Sequence, residues 1–199
     1  MPNIGSGTLG LDLHPDFLNP ANAFIYYLYS YNHGTAIDPD TRFKVARLTW
    51  DWQSQSVTNK TDLVTGISNG YDHWGGRLMV IMRDGGTPHL YLSIGDHGIS
   101  ERNSPDCYTN QDLNPNNFPQ DVSTDNGKIH RYNLDGSIPS DNPIPGNSFY
   151  TRGHRNPQGL IIPVAYEQKK SCGKKNLYAG MWVFLVLPEE HWTKEVTAA

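Results

Sequence analysis

The stretch Phe43-Lys-Val-Ala-Arg-Leu-Thr-Trp50 alternates apolar and polar residues along its length. A period of two is the pattern of a β-strand with one buried face. Four further stretches are strand-like: Phe24 to Ser30, Leu78 to Met82, Leu90 to Ile94 and Lys128 to Leu134. Turn-forming pairs such as Asn19-Pro20 and Asp135-Gly136 separate them. Because no convincing amphipathic helix occurs in the first 165 residues, the sequence predicts an all-β fold.

Composition agrees with many short strands in one ordinary domain. The 199 residues include 19 Gly, 14 Pro, 11 Tyr and 5 Trp, while hydrophobic residues make up a low 37%. A net charge of −4 argues against a general nucleic-acid binder, since affinity for phosphates needs clustered cations. The longest apolar run, Met181 to Leu187, is too short to span a bilayer. Cys107 and Cys172 allow one disulfide or two free thiols.

A weak internal repeat predicts the architecture. Leu9-Gly-Leu11 followed by Phe24-Ile-Tyr26 is one copy, and Gly76-Arg-Leu78 followed by Leu90-Tyr-Leu92 is a second. Gly159-Leu160 begins a third. Each copy resembles a strand, a tight turn and a strand, which is typical of β-propeller blades. A blade needs roughly 40–50 residues, so the chain holds about three to four blades and is too short to close a ring.

The composition changes near residue 166. Residues 1–165 contain fifteen Asp and one Glu, whereas the four acids of residues 166–199 are all Glu. We therefore expect residues 1–165 to form the propeller unit and residues 166–199 to be a divergent tail, with a charged C-terminal element as the alternative. The N-terminus shows no basic region followed by an apolar stretch, so no secretion signal is expected. The protein is then cytoplasmic, or the chain lacks its own beginning.

Two polar motifs carry candidate chemistry. Asp72-His73-Trp-Gly-Gly places an imidazole beside a carboxylate at the entrance to a strand, and an imidazole suits proton transfer at neutral pH. The alternative is a loop histidine with a structural role. Gly153-His-Arg-Asn-Pro-Gln-Gly159 offers a planar cation, two amides and an imidazole, which suit a planar polar ligand. We interpret Gly95-Asp-His-Gly98 as a turn in which Asp96 bonds neighbouring backbone amides.

Six ordered segments resemble the soluble quinoprotein sugar dehydrogenases, the glucose/sorbosone dehydrogenase family. They are Leu9 to Phe17, Asp72 to Leu78, Leu90 to Gly98, Gly127 to Arg131, Asp135 to Pro143 and Gly153 to Leu160. Together they cover about residues 5–162. The resemblance implies the N-terminal portion of a six-bladed β-propeller that uses pyrroloquinoline quinone (PQQ) as its cofactor.

The family's chemistry is oxidation of an aldose at C1 to the lactone, with an external electron acceptor to reoxidise the quinone. By this resemblance His73 matches the general base that takes the C1 hydroxyl proton, and Asp72 matches its neighbour. Arg155, Asn156 and Gln158 match quinone-contacting residues. The resemblance also implies that intact relatives work in the periplasm or outside the cell, with a small sugar as substrate.

The chain departs from the family after Leu160. It continues Ile161-Ile-Pro-Val-Ala-Tyr-Glu-Gln-Lys-Lys170, where the family has an acidic loop that binds calcium beside the quinone. We therefore expect no metal ligand here, and a truncated chain that is not a competent dehydrogenase. Two alternatives stay open: a non-enzymatic sugar- or protein-binding propeller fragment, and a metal-dependent hydrolase that uses His73, His97 and Asp72.

Overall fold

The computed structural model describes residues 7–34, 41–69, 73–82, 86–97, 119–161 and 183–185. These residues form ten β-strands in three sheets, together with one 3₁₀ turn at Pro20–Asn22 and no α-helix. The prediction of an all-β fold is confirmed. None of the described residues lies in a helix with the length and hydrophobicity of a membrane span.

Two four-stranded antiparallel sheets follow one another along the chain. The first contains β1 (Thr8–Leu13), β2 (Phe24–Asn32), β3 (Thr41–Asp51) and β4 (Ser56–Ile67). The second contains β5 (Gly75–Ile81), β6 (His89–Ile94), β7 (Lys128–Asn133) and β8 (Phe149–Arg152). In each sheet the spatial order equals the chain order, which is the arrangement of a propeller blade. β9 (Gly159–Ile161) pairs in parallel with β10 (Val183–Leu185).

All five predicted strands are present, with ends that differ by a few residues. β4 escaped the sequence analysis because its pattern, Ser-Val-Thr-Asn-Lys-Thr-Asp-Leu-Val-Thr-Gly-Ile, is mostly polar and mostly exposed. It is the outermost strand of the first sheet and pairs only with β3 among the described strands. An edge strand has less apolar surface to bury, so hydrophobic alternation is a weak signal there.

The core lies between the two sheets. It consists of alternate residues along neighbouring strands. The side chains of these residues lie on the face that each sheet turns to the other. They are Tyr26, Leu28, Phe43, Val45 and Ile67 from the first sheet, and Leu78, Val80, Leu90, Leu92, Ile94 and Tyr132 from the second. This shared core fixes the second sheet against the first.

β1 and β5, the first strands of the two repeats, lie side by side. A Cβ on Gly10 would lie 2.8 Å from the Leu78 nitrogen, so only glycine permits this approach. Asp12 on β1 accepts a hydrogen bond from the backbone nitrogen of Val80 on β5, with Oδ2 and nitrogen 2.7 Å apart. The repeat seen in the sequence therefore corresponds to the first two strands of each sheet.

The described residues contain two complete four-stranded sheets, although chain length suggested about three to four blades. The second sheet extends from residue 75 to residue 152 because long connections precede β7 and β8. The predicted domain boundary at residue 165 lies outside the described residues and stays a prediction.

Candidate active site

Four segments meet at one edge of the second sheet, namely the edge formed by the ends of its strands. They are residues 73–74 before β5, 95–97 after β6, 126–127 before β7, and 153–158 after β8. In an antiparallel sheet the starts of alternate strands lie beside the ends of their neighbours. The topology therefore gathers residues that are far apart in sequence, including most of the site residues predicted above.

His73 is paired with Asp96, which lies 23 residues further along the chain. Its Nδ1 lies 2.7 Å from Asp96 Oδ1, and the two side chains are 10% and 0% exposed. Because a carboxylate only accepts hydrogen bonds, His73 donates through Nδ1–H. The backbone of His73 is in the left-handed region, with φ of 49°, which is uncommon for a residue other than glycine. The loop thus holds His73 in an unusual backbone conformation.

The backbone around Asp96 is held from three directions. The Asp96 nitrogen donates to the carbonyl oxygen of Arg155 at 2.8 Å. The Gly95 nitrogen donates to the Trp74 oxygen at 3.3 Å, and the Gly95 oxygen accepts from the Gly127 nitrogen at 2.9 Å. All four segments are therefore linked through the backbone of Gly95 and Asp96.

The loop 153–158 lies against the start of β5. Asn156 Oδ1 accepts a hydrogen bond from the Gly75 nitrogen at 3.1 Å. Arg77 donates through Nε to the backbone oxygen of Gln158 at 3.0 Å, and Ser93 Oγ donates to the Pro157 oxygen at 2.7 Å. The side chains of Arg155 and Gln158 are exposed, while Asn156 is half-buried. The structure thus brings the Arg155 backbone against Asp96, the Asn156 side chain against Gly75 and the Gln158 backbone against Arg77.

Asp72, the predicted neighbour of His73, lies outside the described residues, so its role stays a prediction. The motif around Asp96 indicated only a turn, so its pairing with His73 was not predicted from the sequence. The available signal was position: Asp96 follows a strand that neighbours the strand after His73. Antiparallel pairing of these strands places the two residues at the same edge of the sheet.

His97 is the second histidine of the region. It is buried, and burial lowers its pKa to about 4, against an opposing effect from Asp125. Its Nδ1 lies 3.0 Å from Asn126 Nδ2, so His73 and His97 have different partners. In the described part of the chain no three His, Cys, Asp or Glu side chains are grouped so as to hold a metal ion. Asp72, the third residue of the hydrolase alternative, lies outside the described residues, so that alternative stays a prediction.

Comparison with known proteins identifies a matching family and a curated relative. The family model described as Glucose / Sorbosone dehydrogenase matches residues 2–168. Quinoprotein glucose dehydrogenase B of Acinetobacter calcoaceticus is 34% identical over 169 residues, which cover 79% of this chain and 33% of that protein. The chain therefore spans about a third of the length of this curated relative.

Solved structures show the same fold. The PQQ-bound aldose sugar dehydrogenase of Streptomyces coelicolor superposes with a TM-score of 0.57 at 25% identity, covering 80% of this chain and 40% of that one. The apo-form soluble aldose sugar dehydrogenase of Escherichia coli gives 0.55 at 25% identity, covering 77% and 39%. The two sheets are therefore part of a β-propeller of the six-bladed quinoprotein dehydrogenase type, as the sequence predicted, and the chain covers only part of that fold.

Proposed function

This chain belongs to the glucose/sorbosone dehydrogenase family, and on that premise we propose that its site serves the oxidation of aldose sugars at C1 to lactones, with PQQ as cofactor. The observation that carries the proposal is the 2.7 Å contact between His73 Nδ1 and Asp96 Oδ1 at the edge of the second sheet. A buried carboxylate that orients an imidazole is an arrangement suited to general-base catalysis.

The role of His73 is to take a proton. Because Nδ1 donates to Asp96, the neutral ring carries its hydrogen on Nδ1 and its lone pair on Nε2. Nε2 is then the basic atom, and it accepts the proton of the C1 hydroxyl. Asp96 keeps the ring in this tautomer and stabilises the imidazolium that forms. The contact therefore supplies both orientation and electrostatic stabilisation.

The residues near His73 fit one polar edge of PQQ, which carries carboxylates and quinone oxygens. When bound, PQQ would supply the two-electron oxidant for this reaction. Arg155 presents an exposed guanidinium, whose planar fork matches a carboxylate, and Gln158 presents an exposed amide. The half-buried Asn156 accepts from Gly75 through Oδ1, which leaves Nδ2 as its donor toward a ligand. These three residues would hold the cofactor through its carboxylates and quinone oxygens.

The electron acceptor and the cellular location are proposed on resemblance to the family alone. We propose an external electron acceptor that reoxidises the cofactor, and a periplasmic or extracellular site of action. The segment expected to replace the calcium loop lies outside the described residues, and no calcium ligand is proposed from the described ones.

The function is tested with the 199-residue chain and with a chimera. In the chimera, residues 7–161 replace the matching part of the Streptomyces coelicolor enzyme. Both proteins are mixed with PQQ and calcium, cofactor binding is followed by fluorescence, and reduction of an artificial electron acceptor is followed with glucose and other aldoses. We expect the chimera to bind PQQ and to oxidise aldoses.

His73→Ala in the chimera should lower turnover by about 10²- to 10⁴-fold, because it removes the general base. His14→Ala is the matched control, since His14 lies in the loop before β2 of the first sheet, whereas the site lies on the second sheet. A folded chimera that binds PQQ but leaves aldoses unoxidised contradicts the proposal, as does full turnover without His73. Sugar binding to either protein without aldose oxidation would favour the alternative of a non-enzymatic sugar-binding propeller fragment.

A further inference from the structure

A second pair, the half-buried Asn126 and the buried His97, adjoins Asp96. Asn126 Nδ2 lies 3.3 Å from the Asp96 carbonyl oxygen and 3.0 Å from His97 Nδ1. The Asp96 carbonyl only accepts, so the atom facing it must be the amide nitrogen, which fixes the orientation of the Asn126 amide. That nitrogen carries two hydrogens, one for each acceptor. A single side chain thus joins the main chain of Asp96 to the ring of His97.

His97 is suited to accept from Asn126. Since Asn126 donates to Nδ1, the neutral ring carries its hydrogen on Nε2. The ring is 3% exposed and packs edge-on against Phe43. Its burial disfavours the protonated form, which could not accept at Nδ1. The backbone φ of 66° shows that the fold holds His97, like His73, in the left-handed region.

The main chain of Asn126 is held in place as well. Its carbonyl oxygen accepts from Lys128 Nζ at 2.5 Å, and Lys128 is fully buried. The next residue, Gly127, donates to Gly95 and accepts from the backbone nitrogen of His154 at 3.0 Å. The amide of Asn126 is therefore presented to Asp96 from a rigid segment.

We propose that Asn126 is a positioning residue for the His73–Asp96 pair, with neutral His97 as the acceptor that fixes its amide. The peptide groups on both sides of Asp96 are then restrained, one by Arg155 and the other by Asn126. The contact with His73 restricts the side-chain torsions of Asp96. The consequence for catalysis rests on the proposed function, whereas the positioning itself does not.

The test uses the 199-residue chain without cofactor or sugar, with ¹⁵N-labelled histidine. Nitrogen chemical shifts distinguish the two neutral tautomers of each ring. In the unaltered chain we expect His73 protonated at Nδ1 and His97 protonated at Nε2. A His97 that carries its hydrogen on Nδ1 would overturn the proposal without any substitution, because it could not accept from Asn126.

The informative variant is Asn126→Leu, which keeps the shape of the side chain and removes both donations. We expect His73 to lose its single tautomer and to show shifts averaged between the two forms. Asn133→Ala is the matched control: Asn133 lies at the far end of β7, where its amide contacts Ser137, and His73 should be unchanged. If Asn126→Leu does not fold, Asn126→Asp, which also lacks the donors, is measured in the same way.

His73 shifts that are identical in the unaltered chain and in a folded Asn126 variant would refute the positioning role. Because the readout is recorded without PQQ or sugar, this result would leave the proposed function untouched. Conversely, a chimera that does not oxidise aldoses would not affect the conclusion about Asn126, which depends only on the histidine tautomers.

Discussion

Gly95 and His73 meet through their backbones: a Cβ placed on Gly95 would lie 1.5 Å from the carbonyl oxygen of His73 and 2.5 Å from its carbonyl carbon. No side chain can occupy that space, and backbone atoms cannot move aside as a flexible side chain does. The contact between the loop before β5 and the end of β6 therefore requires glycine. It is also the contact that brings His73 within reach of Asp96.

Gly95→Ala should separate these two segments. We expect a loss of at least about 3 kcal/mol in the free energy of unfolding, the upper range for overpacked sites, because the overlap is with backbone. Gly146→Ala is the control, since a Cβ there meets nothing within 4 Å and only the positive φ of 74° is unfavourable. That change should cost about 1–2 kcal/mol. Urea unfolding measures both values, and equal losses would contradict the steric argument.

Asp96→Asn should impair the proposed chemistry while keeping the shape of the side chain. An amide nitrogen facing His73 Nδ1 would donate to it, which selects the tautomer protonated at Nε2 and removes the base from the substrate side. In the chimera we expect turnover to fall by about 10²- to 10⁴-fold. Asp135→Asn, in the exposed turn after β7, is the control. Dye reduction that is unaffected by Asp96→Asn would show that the pair does not orient the base.

Arg155→Lys should weaken cofactor binding. A guanidinium contacts a carboxylate through two parallel hydrogen bonds, and an ammonium group does not reproduce them. We expect the PQQ dissociation constant of the chimera to rise by about 5- to 150-fold in a fluorescence titration. Arg152→Lys is the matched control, because Arg152 is exposed at the end of the neighbouring strand β8. Unchanged affinity in Arg155→Lys would show that Arg155 does not contact the cofactor.

Stability should fall as the solution becomes acidic. Burial lowers the pKa of His97, His130 and His154 to about 4 each. Between that value and the ordinary pKa of about 6.5, the unfolded chain binds protons that the folded chain does not. The stability that these residues contribute is therefore complete above pH 6.5 and is lost as the pH falls toward 4. Each histidine adds a slope of up to about 1.4 kcal/mol per pH unit.

Urea unfolding of the 199-residue chain at several pH values between 5 and 7 checks this slope. His154→Gln should make the dependence shallower by one proton, because it removes one of the three buried rings. A free energy of unfolding that is constant from pH 7 to pH 5 would contradict the prediction.

The sequence pattern predicted longer strands that carry several core residues, and it missed the exposed β4 and the four-residue β8. β3 and β6 carry apolar residues that enter the core, and both were recognised from their pattern. β4 carries few such residues, so its pairing with β3 could not be read from the sequence. The same distinction holds for the site. The motif around His73 was visible in the sequence, but its partner Asp96 is 23 residues away and becomes its neighbour only through strand pairing.

The hydrogen bonds that close the site have consequences for the order of folding. The bond from Gly75 to Asn156 and the bond from Arg77 to Gln158 each join residues 81 positions apart. Such contacts require the intervening loop to close, and that loop contains β6, β7 and β8. We therefore expect the edge that carries His73 to be completed late in folding. Protection of the Gly75 amide against hydrogen exchange would then appear last in refolding, and would report when the proposed cofactor surface is ready.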